Sequence, residues 1–153
     1  MNTLFSFSDE LWLAGLFLSA FIAATLLPGA SEVLLIAALL NGKDPVTSVF
    51  AATLGNVLGA VTTFYIGLWV GGNAGRYLGI SDEKRQRSGE WISRYGSWVL
   101  IFSWVPVIGD PLVLAAGMLG MKTTRFLIFM TMGKAGRYLL VAWLTLGAEY
   151  LWL

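Results

Sequence analysis

From Leu11 to Leu40 the chain is an almost unbroken apolar run of 30 residues. As a single helix it would extend about 45 Å, against a bilayer hydrocarbon core of about 30 Å. Pro28-Gly29 divides it, and Val33–Leu40 beyond the break amounts to only about 12 Å of helix. Two unequal limbs meeting at a Pro-Gly break predict a re-entrant hairpin. Irregular backbone at that depth requires a protein or water-lined surround. Asn41-Gly-Lys-Asp-Pro45 reads as a turn, and Val46–Val70 is then long enough to span. Residues 1–10 form a mildly amphipathic lead-in, with Asp9 and Glu10 ahead of the first apolar run and no basic n-region of a signal peptide.

The second half follows the same plan. Trp98–Val105 and Leu112–Met121 are apolar but too short to span, and Pro106, Gly109, Asp110 and Pro111 separate them. Phe126–Leu146 is long enough to cross, and Trp143 and Trp152 mark its far interface. Pro28-Gly-Ala-Ser-Glu32 and Pro106-Val-Ile-Gly-Asp110 share the pattern Pro-x-x-x-acid at an offset of 78 residues. The same register aligns Gly42 with Gly120, Gly55 with Gly133 and Asn56 with Lys134. The chain thus reads as two repeats, about 11–71 and about 98–147, within a single membrane domain spanning 1–153.

Between the repeats, residues 73–97 form the one hydrophilic segment, with Glu83–Arg87 and Glu90–Arg94 at helical i,i+4 spacing and Trp91, Ile92 and Tyr95 as an apolar stripe. This predicts an amphipathic helix lying on the membrane surface, its basic residues on the cytoplasmic side. Lys122 and Arg125 prefer the same side, so the second hairpin enters and leaves from the cytoplasm. Residues 41–45 and the C-terminus are then outside. One net crossing per repeat makes the second repeat inverted. The expected fold is all-α and integral to the membrane: two re-entrant, broken-helix hairpins, each followed by a transmembrane helix. Inverted repeats of this kind place a substrate site near the bilayer midplane.

Composition narrows the chemistry. The 153 residues are 57% hydrophobic and 12% charged, with no cysteine and no histidine. Disulfides, thiolate catalysis and imidazole ligands or bases are therefore absent, and nothing suggests a metal or an organic cofactor. A net charge of +1 gives no reason to expect nucleic acid. Gly55-x-x-x-Gly59 and Gly67-x-x-x-Gly71 put small residues along faces of the helix 46–70. They serve close packing inside the fold or a homo-oligomer seam.

Four ionisable residues lie within apolar sequence: Glu32, Asp110, Lys134 and Arg137. Either they neutralise one another structurally, or they line a polar midplane cavity, with Asn56 as a further liner, that exchanges protons and binds substrate. Two cations, two carboxylates and apolar walls suit an amphipathic anion such as a lipid phosphate. An intramembrane phosphate-handling enzyme is the rival class, with Lys134 and Arg137 holding phosphate. It lacks a nucleophile with an adjacent base. A non-transporting scaffold or assembly factor is the third reading.

The residues also resemble the DedA family (the VTT, or SNARE-associated, domain), most closely its short YqaA-type branch. Leu27-Pro-Gly-Ala-Ser-Glu-Val-Leu-Leu35 is similar to the family's first-hairpin signature, and Gly55-Asn-Val-Leu-Gly-Ala-Val-Thr-Thr-Phe-Tyr-Ile-Gly67 to its Gly-rich helix. The order of the basic helix, Tyr95-Gly96, Pro106, Ala116-Gly117, Met121 and Phe126 follows the same pattern. The resemblance implies a multi-pass protein of the bacterial inner membrane that translocates lipids, supports envelope homeostasis and depends on proton motive force. Some relatives move undecaprenyl phosphate, and eukaryotic ones scramble phospholipids. Where the family carries Arg-Phe-x-Pro-x-x-Arg, this chain has Ser103 and Gly109 at the arginine positions. A lipid phosphate here would need cations from elsewhere.

Overall fold

The computed structural model describes residues 2–24, 29–77, 83, 90, 92–104 and 109–152. Among these residues the chain is helical and contains no strand. In order come α1 (Asn2–Ala23), α2 (Ala30–Leu40), α3 (Pro45–Tyr77), a wide turn of π type (Ile92–Gly96) leading into a 3₁₀ segment (Ser97–Trp104), α4 (Gly109–Met118) and α5 (Thr123–Trp152). Within α3 and α5, Pro45–Asn73 and Thr123–Gly147 are long and apolar enough to cross a membrane. Only 33% and 28% of their most apolar windows are buried, the reverse of a soluble core helix. Trp69, Trp143, Val46 and Phe50 are among the large side chains left outward. The N-terminal lead-in is continuous with α1, and α3 runs on through Asn73–Tyr77, where the surface helix was expected to begin. The rest of that expected helix lies mostly outside the described residues. Its last part, Ile92–Gly96, is the π-type turn.

The turns ahead of the two long helices repeat each other bond for bond at the 78-residue offset. Gly42 and Gly120 both take positive φ, 70° and 72°. Gly42 N–H donates to Leu39 O and Lys43 N–H to Ala38 O, at 3.0 and 3.1 Å; Gly120 N–H donates to Gly117 O and Met121 N–H to Ala116 O, at 2.9 and 3.1 Å. This pairing caps a helix whose C′ residue is left-handed, a position that favours glycine. The next helix starts by the same bond in each case, Ser48 N–H to Asp44 O and Phe126 N–H to Lys122 O.

Asp44 is the N-cap of α3. Its Oδ2 accepts from Thr47 N–H and from Thr47 Oγ1, both at 2.8 Å, and Pro45 fills the first helical position, where no N–H is needed. The Thr47 N–H, then its hydroxyl, hold the Asp44 carboxyl below its ordinary value. A depressed folded value contributes stability above the unperturbed pKa of about 3.9 that is lost as pH falls through the folded one. In detergent, the melting temperature of the wild type should therefore drop more between pH 5 and pH 2 than that of Asp44→Asn. The asparagine still caps but does not titrate.

By packing, the chain forms two compact units: Met1–Gly59 with Ala135–Leu153, and Ala60–Lys134. In the first, α1 runs alongside the beginning of α3 in the same direction. A Cβ on Gly55 would strike the Phe17 carbonyl oxygen, and one on Gly59 would lie 2.5 Å from Phe21 O and 2.8 Å from Ala24 Cβ. Residue 59 is the midpoint of the Pro45–Asn73 span, so α1 ends at mid-depth of α3. The chain resumes at Gly29, whose φ of 104° opens α2, and α2 packs back along α1. Leu16, Ala20, Leu35, Leu39, Ala52, Tyr138 and Ala142 form the core of this unit.

In the second unit, the segment from Ile92 to Trp104 runs alongside the beginning of α5. Ser93 Oγ accepts from Lys122 N–H at 2.7 Å, Ser93 O accepts from the Arg125 guanidinium, Trp98 meets Phe129 edge-on, and a Cβ on Gly133 would lie 2.6 Å from Ile101 O. The Thr123–Gly147 span has its midpoint at residue 135, so this limb also reaches mid-depth of its long helix. Gly67 and Gly71 lie against the α4 backbone at Leu114 and Met118, and Phe64 stacks on Phe126 at 4.0 Å. Gly55, Gly59, Gly67 and Gly71 of α3 thus each lie against another segment of the same chain. Gly109 opens α4 and Pro111 sits in its first turn, where a missing N–H costs nothing.

Candidate functional site

Glu32 lies in the first turn of α2, where a carboxylate suits the positive end of the helix dipole. Its Oε1 is 2.5 Å from Arg137 Nη2, joining α2 to the second half of α5. The side chains of Arg137 and Glu32 keep 16% and 14% of their exposure, but both Glu32 carboxylate oxygens are buried. The approach is close, but its angle is not that of a hydrogen bond, and both Glu32 oxygens lack an aligned donor.

Beside it runs a buried neutral chain. Asn56 Nδ2 donates to the Tyr138 hydroxyl at 2.7 Å, and that hydroxyl donates to Ser31 Oγ at 2.8 Å. Ser31 and Tyr138 have no exposure and Asn56 has 4%. The two sets of groups are contiguous in sequence, since Ser31 precedes Glu32 and Arg137 precedes Tyr138. Asn56 lies three residues from the midpoint of its span, and Arg137 and Tyr138 two and three from theirs. The site therefore sits at the middle of both long helices.

Of the residues singled out in the sequence, Glu32, Arg137 and Asn56 come together here. Lys134 belongs to the second unit, buried on α5, and Asp110 lies in the first turn of α4, its side chain outside the described residues. Of the expected break residues, Pro28 and Pro106 are outside the described residues, while Gly29 and Gly109 open α2 and α4. Ser31 and Tyr138 escaped the sequence reading. Their signal was adjacency to the two charges. Among the described residues no cluster of carboxylates suits a metal ion.

Fold and site together define a multi-pass helical membrane protein with a charged pair and a hydrogen-bonded polar chain at mid-depth. The chain belongs to the DedA family: its residues 27–146 match the VTT domain. It is 39% identical over 148 residues to the inner membrane protein YqaA of Escherichia coli, a match covering 95% of this chain and 99% of that one. An uncharacterised protein of Haemophilus influenzae is 35% identical over 155 residues, covering 91% and 93%. A protein of Lactococcus lactis named alkaline phosphatase-like is 30% identical over 95 residues, 56% of this chain and 44% of that one. No solved structure matches the chain. The protein is therefore placed in the bacterial inner membrane.

Proposed function

We propose that this protein moves an amphipathic anion, with a lipid phosphate as the fitting class, across the inner membrane in a proton-linked way. The observation that carries the reading is the Glu32–Arg137 pair, its carboxylate oxygens buried and incompletely hydrogen-bonded, midway along the long helices beside Ser31, Tyr138 and Asn56. An ion pair there is expensive if its only task is to hold helices together. Protonation of Glu32 would neutralise it and release Arg137 for an anionic headgroup. Loss of that proton would return Arg137 to Glu32 and expel the anion. Proton and anion then favour each other's binding, the reciprocity that coupling requires.

Both hairpins support a re-entrant, inverted-repeat arrangement. Each first limb reaches the midpoint of its long helix, and α2 and α4 are about 16 and 15 Å long, too short to span. On this reading residues 41–45 face outward and 122–125 the cytoplasm. The phosphatase-like name of one partial relative favours no enzyme reading, since the Glu32–Arg137 site holds no nucleophile with an adjacent base.

Proteoliposomes test the proposal. A fluorescent lipid with an anionic phosphate headgroup should change leaflets faster with wild-type protein than in protein-free vesicles. Arg137→Gln should lower that rate at least tenfold, and Glu32→Gln should remove its dependence on a pH gradient. With no native cysteine as background, Thr123→Cys should label only from the cytoplasmic side. Labelling from outside would end the re-entrant reading. Wild-type movement no faster than protein-free vesicles, across several anionic lipids and both gradient directions, would favour a scaffold.

A further inference from the structure

α2 meets α5 through two consecutive residues on each helix, paired in opposite order: Ser31 with Tyr138, and Glu32 with Arg137. The two contacts differ in kind. Glu32–Arg137 depends on charge, so a proton on Glu32 weakens it. Ser31–Tyr138 is neutral, and the phenol oxygen works both ways, accepting from Asn56 Nδ2 at 2.7 Å and donating to Ser31 Oγ at 2.8 Å. Neither Ser31 nor Tyr138 has any exposure, so water does not compete for the bond between them.

The neighbouring parts of α2 do not set its register on α5. Gly29 precedes the helix at a φ of 104° and supplies no side-chain cap. Leu35 and Leu39 enter the same core as Tyr138 and Ala142, but apolar burial is non-directional. A slip of one residue would shift α2 by about 1.5 Å and turn it by about 100°, carrying Glu32 away from Arg137. A directional bond at the residue next to Glu32 opposes that slip. The charged surroundings are simple. In this unit α1 from Leu11 to Ala23 and α3 up to Gly59 bring no ionisable side chain, and α2 brings only Glu32. On α5, Arg137 and Tyr138 face it, Lys134 lies one turn earlier, and Glu149 lies more than three turns further on.

We propose that the Tyr138 hydroxyl is the positioning group of the Glu32–Arg137 switch: by holding Ser31, it keeps Glu32 opposite Arg137 while the ion pair opens and closes. The switch itself rests on the proton-linked reading above. Because the neutral bond survives protonation of Glu32, Arg137 leaves and returns as a side chain while α2 stays in place. Without the hydroxyl both charges remain, but α2 slips, and Glu32 no longer competes with the anion for Arg137.

Tyr138→Phe removes that hydroxyl and nothing else. In the lipid-movement assay it should bring the ratio of rates with and without a pH gradient to about one, as Glu32→Gln does, although both charges are present. A second measurement needs no lipid movement. The double-mutant cycle of Glu32→Gln and Arg137→Gln, read by denaturant titration in detergent, should give a coupling constant at least tenfold smaller in the Tyr138→Phe background than in wild type. Ser31→Ala cuts the same bond with the phenol in place and should do the same, which covers a Tyr138→Phe protein that fails to fold. Asn56→Ala cuts only the bond to α3 and should lower the coupling less than either. Coupling unchanged by Ser31→Ala and Tyr138→Phe, or lowered as much by Asn56→Ala, overturns the positioning role even where the wild type moves lipid. A wild type that moves no lipid but shows the expected fall in coupling overturns the translocation reading, and supports Tyr138 as the group that sets the ion pair.

Discussion

Arg137→Gln alone should destabilise the protein by about 3 kcal/mol or more, and Glu32→Gln together with Arg137→Gln should recover most of that loss. Removing one member of a buried pair leaves the other charge uncompensated, which costs about 3–5 kcal/mol, whereas replacing both with neutral groups of similar shape is often close to neutral. The lower end applies because the two side chains are not completely buried, keeping 16% and 14% of their exposure. Denaturant titration in detergent, with the four proteins compared as a double-mutant cycle, measures the coupling. The double variant is the informative one. If the pair is only a fastener, a folded double variant should behave like wild type in the lipid-movement assay. If Arg137 binds the anion and Glu32 gates it, the same folded protein should be inactive. An Arg137→Gln protein as stable as wild type would mean that the 2.5 Å contact is not a working ion pair.

The helical plan was legible because proline, glycine and apolar run length are local signals. Pro28-Gly29 divides a run too long for one crossing, and Gly42 and Gly120 stop two helices by the same left-handed cap. Pro111 falls in the first turn of α4, where proline is tolerated, so that helix begins at Gly109, ahead of the proline, a start that residue spacing does not encode. The tight 3₁₀ winding of Ser97–Trp104 has no signature in an apolar run. At the site, Glu32 and Arg137 stood out as charges among apolar neighbours. Which of the four ionisable residues pair is a matter of three-dimensional register that residue spacing does not encode. Ser31 and Tyr138 were invisible for a different reason. Serine and tyrosine are ordinary in apolar helices, and these two gain a role only when α2, α3 and α5 bring a serine hydroxyl to 2.8 Å and an amide to 2.7 Å from one phenol.

Two glycines three residues apart on α5 should respond to the same methyl group in opposite directions. Gly133→Ala puts a Cβ 2.6 Å from Ile101 O and 3.3 Å from Leu100 O, both backbone atoms that no side-chain rotation can clear. The helix must then back away from the 97–104 segment, and overpacking of this kind costs about 1–3 kcal/mol. Gly136 has nothing within 4 Å of its Cβ position and an exposed surface. Gly136→Ala therefore gains only the helix preference of alanine, about 1 kcal/mol at most. Gly55→Ala, whose Cβ would strike the Phe17 carbonyl oxygen, should follow Gly133, because it occupies the equivalent place against the first limb of the other hairpin. Thermal melts of the three purified variants in one detergent should place Gly55→Ala and Gly133→Ala below wild type and Gly136→Ala level with it or above. Losses of similar size at Gly133 and Gly136 would mean that helix 123–152 is sensitive to added bulk all round, and that the close approach to Ile101 does not set the packing.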